Sequence, residues 1–287
     1  MVIMKAVIPA AGFGTRFLPA TKSQPKEMLP VYDKPTIQYV VEEAVDSGIE
    51  DILIIISSGK ESICQHFNPQ FELEQRLEAS GKSQLLTELR RIGKGARIQY
   101  VYQQELDGLG GALRYAKSFA AGEPVAVLLG DNVTSGDQPV LSELLNVFRE
   151  KHASVVAVEE VPHEKVYKYG VIDGSSSDNY VYQLRDLVEK PDPAHAPSNL
   201  VIASRYIFTP EIFEELDRTP RGKNNEIQLT DAMRGLLKRQ EMYALKIKGR
   251  RHDAGDKLSF LLTTLEFAMK RPEYHDRLQE FFRNHLS

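Results

Sequence analysis

Short apolar runs alternate with stretches of helical spacing through the first half of the chain. Residues 3–8 form a run of the kind found in strands buried on both faces, and residues 51–56, 97–102, 125–129 and 154–158 repeat it. Between them, residues 37–47 carry apolar side chains at helical spacing and stop at Gly48, a residue suited to a helix C-cap. Residues 60–92 read as charged helix ending near Gly93. A further helix runs from the glycine-rich segment 107–111 to Ala121, and another spans 139–151. This rhythm predicts an α/β fold with a mainly parallel sheet flanked by helices. In the second half, residues 169–173, 180–187 and 200–208 read as strands joined by Ser/Asp- or Pro-rich turns, an antiparallel extension. Helices near 227–238 and 257–270 flank a strand around 242–247, and residues 273–285 predict a last helix.

Composition narrows the picture by exclusion. Hydrophobic residues make up 42% and charged residues 26%, which is ordinary for a globular protein with a full core. The net charge of −4, with basic residues dispersed, argues against nucleic acid as a partner. The single cysteine, Cys64, excludes an intrachain disulfide and a cysteine-based zinc cluster, and suits a reducing cytoplasm. No apolar stretch approaches membrane-spanning length, and the N-terminal run is too short and interrupted for a signal peptide.

The richest chemistry follows the first strand. The apolar run breaks at Pro9 into Ala10-Ala11-Gly12-Phe13-Gly14-Thr15-Arg16, with Lys22 and Lys26 shortly after. Small residues let backbone N–H groups approach a ligand closely, and the neighbouring cations supply charge for phosphate. The spacing is not that of the ATPase P-loop, and Phe17 stands where the dinucleotide fingerprint needs a small residue. Pro19, Pro25 and Pro30 stiffen the segment and hold Arg16, Lys22 and Lys26 near the glycines. A structural turn is the default for GxG alone; the cationic tail favours phosphate.

Acidic positions come next. Asp131 directly follows an apolar strand, where a carboxylate can hold Mg²⁺ together with phosphate oxygens and water. The competing reading is an N-cap, weakened because the next helix starts only near Pro139. Asp256 precedes a helix, so capping competes evenly with metal binding, and Asp253 is a rival ligand. Glu189-Lys190-Pro191 closes a strand; the pair can bind a hydroxyl and a phosphate, or be solvated surface. Lys168-Tyr169-Gly170 can equally be a plain turn into a strand.

The stretch AAGFGTRFLPATKSQPKEMLPVYDKPTIQYVVEEA resembles the signature of bacterial-type UTP–glucose-1-phosphate uridylyltransferases, or UDP-glucose pyrophosphorylases. The similarity continues through FELE (71–74), VAVEEVP (156–162), KYGVID (168–173), VEKP (188–191), APSNL (196–200), NEIQLTDA (225–232) and GRRHDAGDKL (249–258), covering nearly the whole chain. The resemblance implies a Rossmann-like mixed sheet, and in-line attack by glucose 1-phosphate on the α-phosphorus of UTP, with pyrophosphate leaving. It implies that Ala10, Ala11 and Gly12 contact the nucleotide, that Gly14, Thr15 and Arg16 face the departing phosphates, and that Lys26 stabilises charge at the reacting phosphates. Gln103 and Gly108 would read the uracil edge, Gln by its side chain and Gly by its backbone. Asp131 and Asp256 would hold Mg²⁺; Gly170, Glu189 and Asn199 would contact the glucose, and Lys190 its phosphate. No clean linker interrupts the chain, which reads as a single domain with a nucleotide half over about 1–160, a sugar-phosphate half and subdomain over about 161–270 and a helical tail over about 271–287. The resemblance also implies a homodimer or homotetramer.

Two departures stand out. Leu129-Gly130-Asp131-Asn132 replaces the usual Pro-Asp-Asp and is the form familiar from glucose-1-phosphate thymidylyltransferases, which keeps dTTP use open as an alternative. Uracil and thymine share the same hydrogen-bonding edge, and a methyl group in a pocket is worth only about 1–3 kcal/mol. Ala254 stands where the family often has Cys, a matter of packing.

Overall fold

The computed structural model describes residues 4–176 and 178–285, so Ile3, placed in the first strand by the sequence, lies outside the described residues. In chain order the elements are β1 (Lys5–Pro9), the short pair β2 (Pro30–Val31) and β3 (Lys34–Pro35), α1 (Thr36–Asp46), β4 (Asp51–Ile56), α2 (Glu61–Phe67), α3 (Phe71–Ala79), α4 (Ser83–Arg91) and β5 (Arg97–Tyr102). They continue with α5 (Gly108–Arg114), α6 (Lys117–Ala120), β6 (Val125–Leu128), β7 (Asn132–Ser135), α7 (Val140–Lys151), β8 (Ser154–Glu160), β9 (Gly170–Ser175) and β10 (Val181–Glu189). The chain closes with β11 (Leu200–Phe208), α8 (Ile212–Arg218), α9 (Leu229–Leu237), β12 (Met242–Lys246), β13 (Arg250–Asp253), α10 (Lys257–Met269) and α11 (Pro272–His285).

Among the described residues, one nine-stranded sheet runs in the order β5-β4-β1-β6-β11-β8-β12-β10-β9. Pairs β5/β4, β4/β1, β1/β6 and β8/β12 are parallel, whereas β11 and β10 run against their neighbours. A further contact of Val201 with Val171 joins β11 to β9. The mixed, mainly parallel architecture expected from the sequence is therefore the one observed.

Both faces of the sheet are buried, which is why its strands read as continuous apolar runs. Val7, Leu53, Ile55 and Val127 face a layer formed by α5, α8 and α9, while Ala6, Ile8, Ile52, Ile54 and Ile56 face α1 and α7. In α1 the buried residues Ile37, Val40, Val41 and Ala44 recur at helical spacing, and the helix stops at Gly48, whose φ of +86° suits glycine. Each fully buried Ile or Leu in these layers stabilises the fold by about 1.5–3 kcal/mol.

Several boundaries differ from expectation. The stretch 60–92 divides into α2, α3 and α4, broken at Asn68-Pro69 and at Gly81 (φ +69°). The helix expected up to Ala121 is interrupted near Tyr115–Ala116, giving α5 and α6. Neither β7 nor β13 was anticipated: they form an antiparallel ribbon in which Asn132 pairs with Asp253. Among the described residues, no helix is long and apolar enough to cross a membrane.

Four neighbouring parallel strands, β5, β4, β1 and β6, send their carboxyl-end loops (103–107, 57–60, 10–14 and 129–131) to one edge of the sheet. The chain passes from β1 to β4 on one side while β6 lies on the other, the switch point at which open α/β sheets gather ligands.

Candidate active site

At that edge lies a cavity of about 550 Å³ whose lining includes Ala10, Ala11, Gly12, Gly14, Thr15, Arg16, Lys26, Gln103, Gly108 and Asp131. In the loop after β1 the backbone lies open at Gly12, where a Cβ would meet nothing within 4 Å. Gly14 has φ +66°, and a Cβ there would press on Lys26 Cβ at 3.1 Å, so glycine both makes the turn and admits the lysine. The Thr21 hydroxyl donates to the Gly14 carbonyl at 2.8 Å, closing the turn.

Lys26 and Asp131 form the charged centre, with Nζ donating to Asp131 Oδ2 at 2.5 Å. Burial alone would lower the Lys26 ammonium's pKa, but Asp131 and Glu27 hold it above its ordinary value. For Asp131, burial pushes the carboxyl up, yet the Lys26 ammonium and the Asn132 amide bring it below the usual range. Asp131 caps no helix, because Asn132 enters β7. Instead, the β7–β13 ribbon returns residues 254–256 to this place. Ala254 N–H donates to the Asp131 carbonyl at 2.9 Å, Arg16 Nη1 reaches the Gly255 carbonyl at 3.5 Å, and a Cβ at Gly255 would lie 3.3 Å from Asp131 Oδ2.

Three buried ionic clusters that the sequence did not single out support this centre. Lys60 donates to Glu27 at 2.7 Å, fixing the residue next to Lys26, while the Ser57 hydroxyl donates to the Ala11 carbonyl at 2.7 Å. Burial pushes the Glu27 carboxyl up and the Lys60 ammonium down, against their mutual attraction. Beneath Asp131, fully buried Arg205 donates to Glu43 at 2.7–3.1 Å and to the Asn132 carbonyl at 2.8 Å. Glu43 also accepts from the Thr134 hydroxyl and the Leu141 N–H. Third, Arg251 pairs with Glu159, donates to Asn132 Oδ1 at 3.0 Å and stacks 4.9 Å from the centre of the Tyr169 ring. The Asn132 amide donates to Asp131 Oδ1 at 2.8 Å, so the side chain spans Asp131 and Arg251. The one local signal was Arg205, a lone charge inside a nine-residue buried strand.

The residues assigned to the sugar form a second group outside the cavity lining. Gly170 and Glu189 face each other across β9 and β10, and a Cβ at Gly170 would crowd Ile202 at 2.9 Å and Glu189 Oε2 at 3.3 Å. Glu189 accepts from Thr230 at 2.7 Å and pairs with Lys190 at 2.9 Å. Lys190 has φ +47° and donates its N–H to the Tyr169 carbonyl. Asn199 is exposed, its carbonyl accepting from Val161 N–H at 3.1 Å. Burial raises the phenol of Tyr206, with help from Glu189 and Asp131 and against Arg251 and Arg205. Asp256 caps α10, Oδ1 accepting from Ser259 N–H at 3.0 Å, and this bond draws its carboxyl down, with Lys168 contributing.

Residues 5–268 match the model of the family described as nucleotidyl transferase. The chain belongs to the nucleotidyl transferase family. It is 50% identical over 281 residues to the UTP--glucose-1-phosphate uridylyltransferase of Staphylococcus epidermidis RP62A, covering 98% of each chain. Against the protein of the same name from Bacillus subtilis 168 it is 47% identical over 285 residues, 99% of this chain and 98% of that one. Among solved structures, UTP-bound UGPase from Acinetobacter baumannii superposes with a TM-score of 0.92 at 38% identity, covering 99% of this chain and 100% of that one. The loop after β1, the Lys26–Asp131 pair and Gly255 meet at one edge of the cavity.

Proposed function

We propose that this nucleotidyl transferase moves a uridylyl group from UTP to α-D-glucose 1-phosphate, giving UDP-glucose and pyrophosphate. The observation that carries the reading is the cavity joining the glycine-containing loop after β1, the Lys26–Asp131 pair and Gln103 in a chain half identical to uridylyltransferases. The thymidylyltransferase alternative is not favoured, since relatives at about half identity over nearly the full length bear the uridylyltransferase name.

In this reading a phosphate oxygen of glucose 1-phosphate attacks the α-phosphorus of UTP as the bond to the bridging oxygen breaks and pyrophosphate departs. The nucleophile is already anionic, so no side chain removes a proton; the work is positioning and charge neutralisation. The backbone of Ala10, Ala11 and Gly12 receives the nucleotide, Gly14, Thr15 and Arg16 take the leaving phosphates, and Lys26 steadies charge at the reacting phosphorus. Gln103 and Gly108 receive the base; Gly170, Glu189 and Asn199 the glucose; and Lys190 its phosphate.

Asp131, with Asp256, would hold Mg²⁺, which supplies positive charge to the triphosphate. Hard carboxylate oxygens suit that ion, which needs only one or two of them beside phosphate oxygens and water, and the chain before Asp256 packs against Asp131, a Cβ at Gly255 falling 3.3 Å from Asp131 Oδ2.

Homo-oligomers and a cytoplasmic location belong to the same proposal, as does the reading of the chain as one domain with nucleotide and sugar-phosphate halves. Leu258, Leu261 and Leu262 leave an apolar strip exposed on α10 where we expect copies to meet. The decisive experiment is a matrix of nucleoside triphosphates against glucose 1-phosphate and galactose 1-phosphate, read as pyrophosphate release. The expected result is fastest release with UTP and glucose 1-phosphate; a large dTTP preference, or no release with any pair, defeats the reading.

A further inference from the structure

The loop after β5 carries an arrangement that the reaction above does not use. Gln103 is buried at the cavity wall, and its Nε2 donates to the Glu105 carbonyl at 2.7 Å and to Asp107 Oδ1 at 3.3 Å. A backbone carbonyl can only accept, so the amide face turned to the loop must be the nitrogen. Among the described residues nothing donates to Gln103 Oε1, which is left as the acceptor Gln103 offers. Asp107 is itself held. Arg221 donates to its Oδ2 at 3.3 Å and to Glu105 at 2.7 Å, and the Ile227 N–H donates to the Asp107 carbonyl at 2.7 Å. A Cβ at Gly111 would lie 1.8 Å from Asp107 Oδ1, so the carboxylate occupies space that only glycine leaves open.

We propose that Asp107 is a positioning residue for base selection, locking the Gln103 carboxamide so that it presents an acceptor to the nucleobase. Uracil carries a donor, N3–H, at its pairing edge, whereas cytosine carries a lone pair at N3. In the same pose cytosine would set its N3 lone pair against the Gln103 oxygen, a clash relieved when the Gln103 amide turns over. That rotation sets its oxygen against the Glu105 carbonyl and the Asp107 carboxylate, losing two hydrogen bonds and facing acceptor with acceptor. Thymine has the same N3–H, so this lock rejects cytosine and leaves the choice between UTP and dTTP to the ribose and the 5-position. The inference rests on the uridylyl-transfer reading for its choice of ligand, but its test does not require turnover.

The test is calorimetric titration of UTP and of CTP into the full-length chain, wild type, Asp107→Asn and Asp107→Ala, with no sugar phosphate present. Wild type should prefer UTP, and in both variants the ratio of CTP to UTP dissociation constants should fall at least about tenfold. The asparagine variant keeps the size of the side chain, and its amide can donate to a turned Gln103; loss of scaffold alone would weaken both nucleotides alike. A ratio unchanged within about twofold in both variants overturns the inference, as does a wild type binding the two nucleotides equally. Absence of pyrophosphate release in the substrate matrix would instead defeat the proposed reaction, while the binding ratio would still decide the role of Asp107.

Discussion

The charge at Lys26 and Asp131 is matched pairwise before any substrate arrives. Each group is held in its ionised form by the other, so replacing one leaves a buried charge uncompensated. Asp131→Asn keeps the size and removes the charge. We expect its turnover to fall at least about 10³-fold, and its unfolding midpoint in urea to drop because Lys26 loses its counter-ion, while the protein stays folded without denaturant. Activity close to wild type would remove Asp131 from the reacting centre. Lys190→Ala probes the other group: KM for glucose 1-phosphate should rise about tenfold or more while KM for UTP changes little. Equal rises would break the assignment. At this scale the loop chemistry was legible, because Gly12, Gly14, Arg16 and Lys26 are close in sequence. Glu27–Lys60 and Glu43–Arg205 were not, since their partners are separated by 33 and 162 positions and meet only when the sheet forms.

Among elements, β11 holds the two halves of the sheet together. It runs against both β6 and β8, and its register shifts between Ile202 and Tyr206, where Ser204 has φ +63°. The shift accompanies the burial of the Arg205 side chain against Glu43 of α1. Glu43→Ala would leave Arg205 and the Leu141 N–H without their shared acceptor, and should cost about 3–5 kcal/mol in equilibrium urea unfolding. A loss below about 1 kcal/mol would mean that the pair is not what secures β11. The sequence marked β11 as a strand through its apolar run, and its reversal was anticipated as an antiparallel extension. The β7–β13 ribbon escaped notice because each strand has four residues, because β7 holds one apolar side chain and β13 none, and because the partners lie more than a hundred residues apart.

Across the whole molecule, stability should weaken in mild acid for an identifiable reason. His252 is buried against Ser135 and the Phe267 ring; burial first, with help from neighbouring cations and against Glu266, lowers its pKa to about 4. Unfolded, it would bind a proton near pH 6.5, so between about pH 6.5 and 4 the unfolded chain holds more protons and stability falls with falling pH. The full effect is roughly 3 kcal/mol, absent in His252→Asn, whose urea stability should therefore vary less than that of wild type between about pH 7 and 4.5. Parallel slopes for the two proteins would show that His252 is protonated in the fold. Ala254 and Gly255 reach Asp131 only through the β7–β13 ribbon, a pairing between segments more than a hundred positions apart. None of the ribbon's eight residues lines the cavity, yet Gly255 does, so loosening the ribbon would unmake part of the wall without altering a single ribbon contact to the space it encloses.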